Sequence, residues 1–134
     1  MLIEEKVRIE DKDLQLEGVL NYRQDCRVRG GALICSPHPL LGGDMDNNVV
    51  EALARGIAEE DLISLRFNYR GVGQSRGDEG DASMEEKLAA FWENGIALDD
   101  PQKVEDALAA LEFLRKVLAR SDAPLAVVGY SFGA

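Results

Sequence analysis

The sequence predicts an α/β domain in which an antiparallel start leads into a parallel sheet flanked by helices. Three short apolar runs, "GGALICSP", "LISLRFNY" and "PLAVV", lack the alternation of a half-exposed strand and are typical of strands covered on both faces. Segments with helical spacing of apolar residues separate these runs. Strands that alternate with helices predict parallel strands joined by right-handed crossovers.

The first segment of the chain is predicted to be a hairpin. "EKVRIED" and "LQLEGVLNY" each alternate roughly between apolar and polar residues, on either side of a polar turn at Asp11, Lys12 and Asp13. Such alternation is typical of an antiparallel pair with one face exposed to water.

Three helices are predicted. "NNVVEALARGIAEE" has an Asn available as N-cap, and "DDPQKVEDALAALEFLRKVLAR" has Pro101 as its first helical residue. The apolar stripe predicted for the latter is Val104, Leu108, Leu111, Leu114 and Leu118. "SMEEKLAAFWENG" opens with a capping-box pair, Ser83 and Glu86, and ends at Gly95. Met84, Leu88, Phe91 and Trp92 share a face of this helix, which is either a cover over the sheet or a substrate-facing lid.

Composition excludes several classes of function. The net charge is −10, so nucleic acid and anionic membrane surfaces would be repelled, and we expect neither as a partner. No apolar run approaches the roughly 18 residues of a membrane span. Two cysteines and one histidine predict neither a disulfide framework nor a metal site, and with no secretory signal they favour a reduced cytoplasm. No linker divides the chain, so residues 1–134 are expected to form one domain.

The pattern "GYSFG" at 129–133 follows the last apolar run directly. In a nucleophile elbow, small residues two before and two after a serine allow a tight strand-to-helix turn that exposes the hydroxyl. Gly129 and Gly133 meet this requirement, so Ser131 is the predicted nucleophile. The alternative is a glycine-rich turn whose serine only caps a helix.

The loop "SPHPLLGGDMDN" follows the first parallel strand, where such an architecture supplies a donor to the oxyanion hole. The backbone N–H groups of Leu40 and Phe132 are the predicted donors, since Pro39 has no N–H. His38 is the only histidine. Because it lies on the oxyanion loop, we interpret it as a residue that orders this loop rather than as the catalytic base.

The segment "NYRGVGQSRG" allows two interpretations. Gly71, Gly73 and Gly77 loosely resemble a dinucleotide-binding turn, but Arg76 stands where the third glycine belongs, and the acidic residues that follow would repel a pyrophosphate. The favoured interpretation is a tight turn beside the active site, with Arg70 bonded to neighbouring loops.

Taken together, "SPHPLLGGDMDNNVV", "LRFNYRGVGQSRG" and "VVGYSFGA" resemble, in order and spacing, the amino-terminal portion of small bacterial α/β hydrolases related to dienelactone hydrolases and serine esterases. The resemblance implies an eight-stranded, mostly parallel sheet, hydrolysis of an ester or similar acyl bond of a small molecule, and no metal or organic cofactor. In this family the triad acid and histidine follow the nucleophile. Since three residues follow Ser131, we expect a truncated domain that lacks its carboxy-terminal strands and is inactive or weakly active.

Two further expectations follow from this interpretation. The competing functional hypothesis is a non-catalytic binding module, or an inert fragment, with the same half-fold. In addition, the strand at 125–128 would become an apolar edge of the sheet, available to a second copy of the chain or to a complementing fragment.

Overall fold

A computed structural model of the chain describes residues 1–25, 27–80, 83–94, 100–119 and 123–130. Five strands form one sheet, and their bounds are β1 Leu2–Asp11, β2 Leu14–Arg23, β3 Gly30–Cys35, β4 Leu62–Phe67 and β5 Leu125–Gly129. The helices are α1 Asn48–Ala58, α2 Met84–Asn94 and α3 Asp100–Leu118. Among the described residues, no helix is both long enough and apolar enough to cross a membrane.

The strand order β1-β2-β4-β3-β5 places an antiparallel hairpin beside three parallel strands. β1 and β2 pair antiparallel through the tight turn at Lys12 and Asp13, as the alternation predicts. β3 pairs in parallel with β4 on one side and with β5 on the other. All six residues of β3 are buried, which agrees with its uninterrupted apolar sequence. Within the described sheet, β5 is an edge strand.

Helices cover both faces of the sheet. Val50 and Ala54 of α1 pack with Ile34 on one face. The larger core lies on the other face, where α3 covers alternate residues of β2, β3 and β4. Its central members are Leu16, Leu20, Leu33, Leu65, Phe67, Ala110 and Leu114. Burial of each such large apolar side chain stabilises the fold by about 1.5–3 kcal/mol.

The prediction of the apolar stripe of α3 is wrong for the first half of the helix. Val104 and Leu108 are 58% and 61% exposed, whereas Lys103 and Asp106 are buried on the inner face. Leu114 is buried as predicted. The first half of α3 therefore turns a different face to the sheet from the predicted one. The reason is that Asp106 binds a buried arginine, a partner that sequence periodicity does not reveal.

Candidate active site

The carboxyl ends of β3, β4 and β5 lie side by side, because these strands are parallel neighbours. In open α/β sheets, ligands bind outside these ends. The segments that leave them are residues 36–47, residues 68–83 and the chain that follows Gly129. The predicted site residues lie on these segments of the sequence, except Gly129, which is the last residue of β5.

His38 organises the loop after β3. Its side chain is fully buried, and its Nδ1 accepts a hydrogen bond from the Leu40 N–H at 3.0 Å. Pro39–Leu41 form a short 3₁₀ turn that His38 caps, and Gly42 closes it in the left-handed conformation with φ of 77°. Since Nδ1 accepts, a neutral imidazole carries its proton on Nε2.

The same hydrogen bond bears on the predicted oxyanion hole. The Leu40 N–H donates within its own loop, to His38, in this structure. To stabilise an oxyanion it would have to exchange this partner for the substrate oxygen. The role of Leu40 stays a prediction. To act as an oxyanion donor, Leu40 must first break this hydrogen bond, which costs about 0.5–1.5 kcal/mol.

β5 directs the chain toward this loop. Gly129 is the register partner of Cys35, and the Tyr130 N–H donates to the Cys35 carbonyl at 3.3 Å. The residues that come next, Ser131, Phe132 and Gly133, lie outside the described residues. Their predicted roles as nucleophile, oxyanion donor and elbow glycine therefore stay predictions.

Arg70 joins the loop after β4 to helix α3. Its Nε donates to Asp106 Oδ1 at 2.8 Å, and its backbone N–H donates to Asp106 Oδ2 at 2.8 Å. Its remaining nitrogens donate to the Asp78 carbonyl at 2.7 Å and to Glu105 Oε2 at 3.0 Å. Burial by itself would lower the pKa of Arg70, but the hydrogen bonds and charge of Asp106 raise it, so the guanidinium stays charged.

Asp106 was not singled out by the sequence, although it is fully buried and binds Arg70 through both oxygens. A weak signal was present: Asp106 stands four and eight residues before Ala110 and Leu114, so it shares a helix face with them. Fully buried acids are nearly always paired, so such a residue implies a cation nearby.

The glycine-rich turn at 71–77 is closed to an anion. The Gly71 N–H donates to the Ser75 carbonyl at 3.0 Å. Carboxylate oxygens of Glu79 and Glu17 lie against the Cα atoms of Gly71 and Gly73, in the space that a side chain would take. Two carboxylates at this position disfavour a phosphate group, which argues against the nucleotide-binding alternative.

Cys35 and Tyr69 form a neutral pair beneath the site. Burial raises the pKa of the Cys35 thiol, and burial together with the neighbouring thiol raises that of the Tyr69 hydroxyl. A thiol held protonated is a poor nucleophile. Among the described residues, no three His, Cys, Asp or Glu side chains form a group suited to a metal ion.

This arrangement defines the class of protein. A mixed sheet with this strand order and helices on both faces is the amino-terminal portion of the α/β-hydrolase fold. The resemblance indicated by the three motifs is confirmed at this level.

Comparison with known proteins gives the same result. A structure of an alpha-beta serine hydrolase homologue from Coxiella burnetii matches with a TM-score of 0.71 and 33% identity, over 96% of this chain and 52% of that one. XC6422 from Xanthomonas campestris, described as an α/β serine hydrolase without lid, matches with a TM-score of 0.69 and 27% identity, over 97% of this chain and 51% of that one.

Curated sequences add one relative. The uncharacterized protein RP471 of Rickettsia prowazekii is 34% identical over 103 residues, which are 77% of this chain and 35% of that protein. No family model matches the sequence. The chain thus spans about half the length of the solved structures it matches. The likeness shows a partial α/β-hydrolase fold.

Proposed function

We propose that this chain supplies the nucleophile and oxyanion half of a serine hydrolase site that acts on an ester or similar acyl bond. The supporting observation is the pairing of β5 with β3, with Tyr130 bonded to the Cys35 carbonyl. This pairing puts Tyr130, which directly precedes the predicted elbow, at the same end of the sheet as the His38 loop, and this supports the proposal.

The proposed chemistry is acyl transfer through Ser131. The Ser131 Oγ forms a bond to the acyl carbon and loses its proton to a base, while the carbonyl oxygen takes up the negative charge. Collapse of this intermediate breaks the bond to the alcohol, which leaves with a proton. Water then releases the acid by the same two steps, and backbone N–H groups of Leu40 and Phe132 stabilise each oxyanion.

The base of this reaction is not assigned to His38. Its ring is buried and its Nδ1 already accepts a hydrogen bond from its own loop. It is also the only histidine among the 134 residues. We therefore propose that the 134-residue chain reacts slowly, with the modest catalysis that binding and oxyanion stabilisation leave when a triad member is missing.

A fluorophosphonate probe tests this proposal. We expect slow labelling of the 134-residue chain at a single site, identified by mass spectrometry of the digested protein, and no labelling of the Ser131→Ala variant. Ser75→Ala is a matched control, because Ser75 is buried and its Oγ is committed to the Asn68 carbonyl at 2.7 Å. Labelling that persists in Ser131→Ala would contradict the assignment.

The second candidate is a non-catalytic module with the same half-fold. The Leu40 hydrogen bond favours it, because the predicted donor is already engaged. Complete absence of labelling at Ser131, in a chain that melts cooperatively, would support this candidate and remove the first.

A further inference from the structure

Helix α2 brings an aromatic pair to the predicted catalytic end of the sheet. The ring of Phe91 lies 5.6 Å from that of His38, centroid to centroid, with an angle of 35° between the planes. Trp92 meets Phe91 edge to face, also at 5.6 Å. Phe91 is partly buried, whereas Trp92 is 70% exposed.

The helix is anchored at its start and rests on the loop through Phe91. The Ser83 Oγ accepts a hydrogen bond from the Glu86 N–H at 3.1 Å, and the buried Lys87 donates to the Glu79 carbonyl at 3.4 Å. Beyond Lys87, Phe91 contacts His38 of the loop that carries the predicted oxyanion donor. Trp92 is linked to this loop through its contact with Phe91.

The surroundings of the indole disfavour anionic ligands. Glu85, Glu86 and Glu93 of the same helix are exposed, and the whole chain carries a net charge of −10. An anionic ligand approaching this surface is repelled, whereas an apolar group gains from contact with the indole face.

We propose that Phe91 and Trp92 form the apolar wall that binds the hydrocarbon part of an ester without negative charge, which makes them specificity-determining residues. This inference rests on the proposed function, because the wall matters only if acyl transfer takes place beside the His38 loop. It assigns α2 to substrate binding rather than to coverage of the sheet alone.

The test uses Trp92 as its own reporter, since it is the only tryptophan of the chain. The probes are benzylacetone, a neutral aryl ketone, and hydrocinnamate, which replaces its methyl ketone by a carboxylate. We expect benzylacetone to quench the indole fluorescence saturably and hydrocinnamate to bind at least about tenfold more weakly. N-acetyltryptophanamide gives the linear quenching of a free indole.

Two variants locate the binding site. Phe91→Ala should raise the dissociation constant of benzylacetone about tenfold, equivalent to about 1.4 kcal/mol. Phe91→Leu, which keeps an apolar side chain against His38, should recover part of the affinity. Val117→Ala is the control, because Val117 lies near Ile3 and Val28 at the other end of the sheet and should leave binding unchanged. Circular dichroism must show that each variant is folded.

The outcomes separate this inference from the proposed function. Linear quenching by benzylacetone, or unchanged affinity in a folded Phe91→Ala variant, overturns the aromatic wall whatever the fluorophosphonate result. Saturable binding that Phe91→Ala weakens, and that slows fluorophosphonate labelling of Ser131, supports both. Saturable binding without any labelling of Ser131 overturns the proposed function and the substrate assignment with it.

Discussion

At the end of β4, buried charges tie loops and a helix together, whereas at β5 apolar side chains stand exposed. Arg70 and Asp106 are 7% and 0% exposed and share several hydrogen bonds. Val127 of β5 is 59% exposed, and no described strand pairs with its outer side. The first region is held by its own ion pair and hydrogen bonds, whereas the outer side of β5 has no partner strand among the described residues.

The polar region should be the most sensitive to mutation. Asp106→Ala leaves Arg70 buried without its main counter-charge, and we expect the free energy of unfolding to fall by about 3–5 kcal/mol. Urea denaturation followed by circular dichroism measures the loss. Glu105→Ala is the control: Glu105 also binds Arg70, but its side chain is 67% exposed, so a loss below about 1 kcal/mol is expected. Equal losses of unfolding free energy in the two variants would show that the buried and the exposed carboxylate contribute alike.

The apolar edge should govern association. In sedimentation experiments at micromolar concentration, we expect the 134-residue chain to self-associate or to be poorly soluble, because no strand in the described part of the chain pairs with the outer edge of β5. Val127→Lys should raise the dissociation constant at least about tenfold by placing a charge on this edge. Val104→Lys adds the same charge at a 58% exposed position on α3 and should change association little. A compact, cooperatively melting wild-type monomer would show that the edge is protected.

Two glycines provide a finer test of the His38 loop. Gly42 has a φ of 77°, so Gly42→Ala should lower stability by about 1 kcal/mol. Gly56 lies within α1 with open space around its Cα, so Gly56→Ala should raise stability by about 0.5–1 kcal/mol. Thermal melts of both variants give the signs, and effects of the same sign would contradict the described loop geometry.

The smallest effect concerns alkaline pH. The folded protein raises the pKa of Cys35 above its ordinary 9.0 and that of Tyr69 above its ordinary 10.0, so it binds these protons more tightly than the unfolded chain does. Their contribution is present below those ordinary values and is lost as the pH rises above them.

Unfolding measured between about pH 8 and pH 11 should therefore show stability that falls with pH, and Tyr69→Phe should flatten the upper part of this fall. Tyr22 is partly buried and its hydroxyl donates to Glu5 at 2.8 Å, a hydrogen bond that raises the pKa of Tyr22, so Tyr22→Phe should flatten the same part of the fall. An unchanged slope in Tyr69→Phe would show that other groups control the alkaline transition.

Much of the fold could be predicted because it depends on local patterns. Alternation located the β1–β2 hairpin, and the apolar run of β3 indicated that this strand is covered on both faces. The inner face of α3 could not be predicted in the same way. Lys103 and Asp106 are buried there because Tyr69 and Arg70 contact them, and these partners lie far upstream in the sequence.

The candidate site, too, could be predicted only in part. The positions of the motifs directly after apolar runs predicted which loops meet at the carboxyl end of the sheet, and β3 and β5 do pair as this requires. The hydrogen bond from the Leu40 N–H to His38 was missed, because it depends on the backbone conformation of the loop between these two residues. The contact between Phe91 and His38 joins segments distant in sequence, so periodicity gave no sign of it.

The parallel pairing of β3 with β5 also has a consequence for folding during synthesis. Gly31 pairs with Leu125, so these partners leave the ribosome about 90 residues apart, on the order of ten seconds at typical elongation rates. The β1–β2 hairpin closes over a far shorter loop and can form early. During that interval one edge of β3 has no partner strand, and the nascent chain is then most exposed to mispairing and most in need of chaperones.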